Sequence, residues 1–279
     1  MKQSIQCTVC AWCALFVLAA ARIPAQITVM CIGNSITAGD WLKDRMTQRY
    51  PAVLQKLLGD TFRVEVVAKG GLCVLKNADE PMWKYRSFIG VFKNPPDIIV
   101  FMLGTNDSRD HNWDSHGRNF RADYAAMIDT LRSMPGPPKL YCGLIAPAYS
   151  PRWDINGSVI DSQIVPAIVA TAQQKNVPVI DIHEIFVQFP ELLHDGIHPD
   201  ENGAQKIAER VFHVLVDDKV SVLKVKRTAA IENPHNRAFI INSFCGKTLR
   251  TYDMTYTLQG QRVYDTFCAG VRCGAYAVK

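Results

Sequence analysis

The chain has 279 residues, 48% of them hydrophobic and 20% charged, which fits one medium α/β domain with a buried core plus a small appendage. Its formal charge of +5 is uneven: residues 219–279 carry ten Lys and Arg against three Asp and Glu, or +7, leaving 5 − 7 = −2 for the rest. A basic tail suits acidic glycans, nucleic acid or an anionic surface, but no interleaving of aromatic and basic residues accompanies it, so no nucleic-acid partner is expected.

In chain order, Lys2 precedes the apolar stretch Cys7 to Ala21, which ends in Arg22-Ile23-Pro24-Ala25. A short apolar core closed by a small residue reads as a secretory signal peptide, residues 1–25, cleaved after Ala25. It falls short of the about 20 residues that a membrane span needs. An exported protein is expected (periplasmic, cell-surface or secreted), without stable membrane insertion after cleavage.

Apolar runs of β type then recur at Ile27–Ile32, Phe62–Val67, Ile98–Leu103, Leu140–Ile145 and Val177–Ile182. Helical patterns separate them near Arg45–Leu58, Phe120–Ser133 and Val159–Gln174, with a last one near Gly203–Val216. Pro51 blurs the first of these helices, and Gly136-Pro137-Pro138 breaks the chain before the fourth strand. Short continuous apolar strands alternating with helices predict a parallel sheet covered on both faces, a three-layer α/β sandwich over residues 26–217. After Val216 the pattern becomes short strands without a helix, at Phe239–Asn242, Thr248–Met254, Tyr256–Tyr264 and Ala275–Lys279. Residues 218–279 are expected to form a small β-rich segment, whose Thr257-to-Val263 and Gly274-to-Lys279 strings are similar to secretion-tail modules of exported proteins. Cys31 and Cys142 lie in apolar runs and read as core residues. Cys245, Cys268 and Cys273 crowd the tail, where export permits a disulfide but an odd count leaves the pairing open.

Three polar clusters stand out. Gly33-Asn34-Ser35-Ile36-Thr37 follows the first apolar run, Gly104-Thr105-Asn106-Asp107 follows the third, and Asp195-Gly196-Ile197-His198-Pro199 comes late. Each has an ordinary explanation. Ser35 suits a helix cap, Asn106 and Asp107 suit turns, and most loop histidines are only that. Together they supply a hydroxyl, a base with an acid beside it and an amide donor, which are the parts of an acyl-transfer site. In open α/β sheets ligands bind at the carboxyl ends of strands, where two of the clusters fall. A rival reading takes His194, Asp195, His198 and Asp200 as a metal site, but it leaves Ser35 and Asn106 without roles.

At these residues the chain resembles the SGNH (GDSL-like) hydrolases. Gly33 to Thr37 matches the first block with Asn34 in place of the eponymous Asp, Gly104 to Asp107 matches the third, and Asp195 to His198 matches the fifth. The second block is degraded to Ala68-Lys69-Gly70-Gly71, in which Gly71 is the best match for the oxyanion glycine. The resemblance implies a flavodoxin-like central sheet, Ser35 as nucleophile, His198 as base and Asp195 as its orienting acid. It further implies an oxyanion hole from the Ser35 and Gly71 amides and the Asn106 side chain, and no metal or cofactor. Through Glu80 to Trp83 and Asn112-Trp113 it is similar to the secreted carbohydrate or sialate O-acetylesterase branch. A glycan or small-molecule acetyl ester is therefore the expected substrate. Trp83, Trp113 and Trp153 fall in or near loops after strands, where their rings could stack on sugars, and Trp83 and Trp113 are the expected substrate contacts. The alternatives are a lipid-directed esterase or lysophospholipase, and a catalytically weak carbohydrate-binding protein on the same fold.

Overall fold

The computed structural model describes residues 26–231, 251–256, 262–268 and 271–277, with side chains over residues 26–217. The expected signal peptide, the Phe239–Asn242 strand and Cys245 lie outside the described residues, as do the side chains of Cys268 and Cys273.

Five strands, β1 (Ile27–Gly33), β2 (Phe62–Ala68), β3 (Ile98–Met102), β4 (Lys139–Gly143) and β5 (Val179–Ile180), form one sheet in the order β2-β1-β3-β4-β5. Every pairing is parallel, with Val29 beside Val64 on one side and Ile98 on the other. Val29 to Ile32 and Ile99 to Met102 are almost wholly shielded from solvent, as their unbroken apolar sequence requires when helices cover both faces of a sheet. The helix Tyr50–Leu58 packs against β2, and Phe120–Arg132 packs against Val165–Gln174. The three-layer α/β sandwich is thus the fold, in the flavodoxin-like strand order. From β1 the chain moves outward to β2, then crosses back to β3 on the other side. The crevice beyond the carboxyl ends of β1 and β3 is the topological switch point.

Several element limits differ from expectation, β5 being only Val179–Ile180 where Val177–Ile182 was expected, and the helices differ most. The first helix is two, Arg45–Gln48 and Tyr50–Leu58, because Arg49 leaves helical geometry just before Pro51 enters at the second position of the next helix. Residues 160–164 form a short π-helix between Gly157–Val159 and Val165–Gln174. The last helix runs from Glu201 to Ile231, well beyond Val216, so the segment after residue 217 is not free of helix.

Contacts divide the chain into two units at Val222 and Leu223. Within the second, Thr251–Tyr256, Arg262–Cys268 and Val271–Ala277 form an antiparallel sheet in sequence order, with an irregularity between Thr266 and Phe267. No helix among the described residues is long and apolar enough to cross a membrane.

Candidate active site

Ser35 opens a single helical turn, Ser35–Ala38, directly after β1. Asn34 is its cap, the side-chain oxygen accepting the Ile36 amide at 3.2 Å. Capping therefore falls to Asn34 and leaves the Ser35 hydroxyl available. Its Oγ lies 2.9 Å from His198 Nε2, across 163 residues of sequence. His198 Nδ1 lies 2.8 Å from Asp195 Oδ2, so Nδ1–H donates to the carboxylate and Nε2 presents its lone pair to the serine.

The Asp195–His198 pairing is built locally. Asp195 Oδ1 accepts the amides of Ile197 at 2.9 Å and His198 at 2.7 Å, an Asx-type turn that aims the other oxygen at the ring. Gly196 takes φ 84, and His194 N–H closes the loop on the His198 carbonyl at 3.1 Å. Burial opposes the charged Asp195 carboxylate, but the His198 amide, the His198 ring and the Ile197 amide outweigh it and hold the group below its usual range. For His198 burial prevails over the Asp195 attraction, and the imidazole titrates below its ordinary value. A buried ring that is neutral near pH 7 is a competent proton acceptor.

Asn106 comes after β3, at the other edge of the switch point. Its Nδ2 donates to the Leu72 carbonyl at 3.1 Å, which leaves the second amide hydrogen for a ligand. Gly71 follows β2 with φ 87, a conformation that favours glycine. The next turn is pinned by the fully buried Asp107, whose carboxyl accepts the Val74 amide at 3.1 Å and the Leu75 amide at 2.7 Å. Burial outweighs those amides and pushes Asp107 up to about 7. Ser35, Gly70, Gly71, Asn106 and His198 line one cleft of about 190 Å³.

Asp40, Trp41, Arg109 and Ile155 also line that cleft and escaped sequence reasoning, whereas Thr105 belongs to the polar cluster after β3 and Trp153 is one of the loop tryptophans read as able to stack on sugars. Trp41, Trp153 and His198 form an aromatic cluster with ring centroids 5.3–5.6 Å apart. Trp41 stands only six residues after Ser35, and that proximity was the signal available. Arg109 Nη1 bonds Asp79 Oδ2 at 2.7 Å. Against the cost of burial, Asn112, His111 and Arg109 hold Asp79 at about 2.

Trp83 and Trp113 do not line the cleft, which corrects the expectation that they contact substrate. Trp83 is partly buried against the core and donates its indole N–H to Val74 O at 2.6 Å. Trp113 packs on Phe120 and bonds Gln163 at 3.2 Å. The rival metal ligands are also otherwise engaged. His194 Nδ1 lies 2.9 Å from the His198 carbonyl, and Asp200 accepts the Gly203 amide at 2.8 Å. No metal-binding group of three such side chains occurs among the described residues.

A doubly wound sheet with a serine, histidine and aspartate in line at its switch point is the class of arrangement found in the GDSL-like acylhydrolases. Residues 31–206 match the GDSL-like Lipase/Acylhydrolase family model, and the chain belongs to that family. It is 35% identical over 201 residues to an acetylxylan esterase of Xylanibacter ruminicola, covering 66% of this chain and 42% of that protein. It is 27% identical over 121 residues to a multidomain esterase of Ruminococcus flavefaciens, covering 42% of this chain and 15% of that one. The chain thus spans less than half the length of these curated relatives. Among solved structures, a carbohydrate acetylesterase family member from Sinorhizobium meliloti aligns with a TM-score of 0.55 at 20% identity, over 68% of this chain and 97% of that one. Likeness at that identity establishes the fold alone.

Proposed function

We propose that this protein is a serine esterase that removes acetyl groups from carbohydrate hydroxyls outside the cytoplasm. The observation that carries the reading is the Ser35–His198–Asp195 line, at 2.9 and 2.8 Å, opening into a cleft that Gly71 and Asn106 also line. The acetylxylan esterase relative supports the substrate class, and the signal-like N-terminus supports export.

In this mechanism His198 Nε2 takes the Ser35 proton as Oγ attacks the ester carbonyl, and a tetrahedral oxyanion forms. Ser35 N–H, Gly71 N–H and the remaining Asn106 amide hydrogen stabilise that charge, each donor contributing about 3–4 kcal/mol where such groups have been removed. Asp195 holds the ring in the Nδ1–H tautomer and stabilises the imidazolium. His198 then returns the proton to the sugar oxygen, the C–O bond breaks, and the alcohol leaves an acetyl-Ser35 ester. Water attacks that ester with His198 again as base, releasing acetate and restoring the serine. No step calls on a metal or an organic cofactor, and a chelator is expected to leave turnover unchanged.

The test is turnover of nitrophenyl esters of increasing chain length and of acetylated xylans, pectins and sialic acids by wild type and Ser35→Ala. Wild type is expected to prefer acetate, and Ser35→Ala to lose turnover while melting as wild type does. Long-chain preference with no glycan deacetylation would promote the lipid-directed alternative. Normal turnover in Ser35→Ala would remove the serine from the chemistry.

A further inference from the structure

Among the described residues four non-glycine positions have positive φ: Trp41 (76), Trp153 (55), Asp154 (59) and Asn176 (50). Holding a residue with a Cβ there carries a conformational cost. Burial does little to offset that cost at the tryptophans, since Trp41 is 60% exposed and Trp153 is 42% exposed. Three of the four border the cleft of Ser35 or the one beside it.

That second cleft, of about 460 Å³, is lined by Asp110, Tyr149, Ser150, Asp154, Ile155 and Ser158, among others. It shares Ile155 with the Ser35 cleft, and the Trp153–Asp154 pair stands where the two meet, Trp153 on one lining and Asp154 on the other. Tyr149, 53% exposed, belongs to its wall. The two clefts together therefore present Trp41, Trp153 and Tyr149 to solvent, beside hydroxyl and carboxylate acceptors. A sugar ring has an apolar C–H face and a rim of hydroxyl donors, and this lining matches both. Asp110 and Asp154 are carboxylates, and neither Lys nor Arg lines the second cleft, so a uronate there would meet like charge; Arg109 lines the adjoining Ser35 cleft but is paired with Asp79.

We propose that the two clefts form one binding site for a neutral glycan chain. The acetylated unit lies against Trp41 and Trp153 at Ser35, and the neighbouring unit occupies the cleft of Tyr149 and Asp154. This assignment rests on the deacetylase reading and adds to it a requirement for a chain and for neutrality.

The experiment compares kcat/KM for acetate release from O-acetylated xylose, xylobiose, xylotetraose and an oligogalacturonate. It also measures calorimetric binding of unacetylated xylotetraose. Wild type is expected to favour the tetraose over the monosaccharide by about tenfold, as one added stacking contact supplies, and to discriminate against the uronate chain. Tyr149→Ala should bring the tetraose-to-monosaccharide ratio close to one. Tyr149→Phe keeps the ring and loses only the hydroxyl bond to the Phe186 carbonyl, so it should preserve the ratio. Asp154→Asn should narrow the gap between neutral and acidic chains. A flat ratio in wild type, or a Tyr149→Ala defect equal on monosaccharide and tetraose, overturns the proposal. Tyr149-dependent binding of xylotetraose with no ester turnover at all would discard the esterase reading and sustain the glycan site.

Discussion

Replacing Asn106 by Ala separates a transition-state role from a structural one. The side chain is buried and makes one internal bond, Nδ2 to Leu72 O at 3.1 Å, while its backbone carbonyl separately accepts Asn112 Nδ2 at 3.1 Å. Truncation leaves the Asn112 contact in place and orphans the Leu72 carbonyl, at a cost of about 1–3 kcal/mol. For a domain of this size that corresponds to a Tm lower by roughly 2–12 °C. The second amide hydrogen is the one assigned to the oxyanion. Its loss should lower kcat by about 10²–10³, or roughly 2.7–4 kcal/mol, because the charge it meets exists only in the transition state. KM should change little by the same reasoning. Nitrophenyl acetate kinetics beside a thermal melt measure both effects. The reasoning is refuted if a folded Asn106→Ala loses less than about tenfold in kcat, or if the whole defect appears in KM.

Activity should rise with pH as His198 loses its proton, and because burial lowers its pKa the acidic limb should lie below the free-imidazole value of about 6.5; a kcat/KM profile with its limb above that value would contradict the placement of the ring. Asp195 and His198 also add to acid sensitivity, together with groups such as Asp79: their folded pKa values are depressed, so the contribution is present above the unfolded values and lost as pH falls through the folded ones, which a thermal melt at falling pH would show. Gly104→Ala should destabilise the domain by about 2–4 kcal/mol, since φ is 139 and a Cβ would sit 3.0 Å from Ile164 and 3.2 Å from Ile145; a denaturant midpoint equal to wild type would show that the loop after β3 is freer than its packing indicates.

The sheet and the core of the candidate site are legible in the sequence because both are local. Uninterrupted apolar runs such as Ile98 to Met102 imply strands covered on both faces. Ser35 and Asn106 each come within a few residues of a strand end, where a parallel sheet gathers its ligands. The pairing of Asp195 with His198 is likewise a property of one turn, with the carboxylate fixed by amides two and three residues on. Gly71 lines the cleft with a positive φ although its block is degraded, because a backbone amide is supplied by chain path and not by side-chain identity. The walls of the cleft are another matter. Trp41, Trp83, Trp113 and Trp153 are chemically alike, and their roles differ only in what tertiary packing offers each indole: Val74 O for Trp83, Phe120 and Gln163 for Trp113, and open solvent beside His198 for Trp41 and Trp153. The break at Arg49 and the helix running to Ile231 also differ from the sequence periodicity, since where a helix ends depends on what caps and packs against it as much as on its own residues. Order along the chain determined which groups stand at the strand ends, while only the packing of distant segments decided which aromatic rings line the cleft.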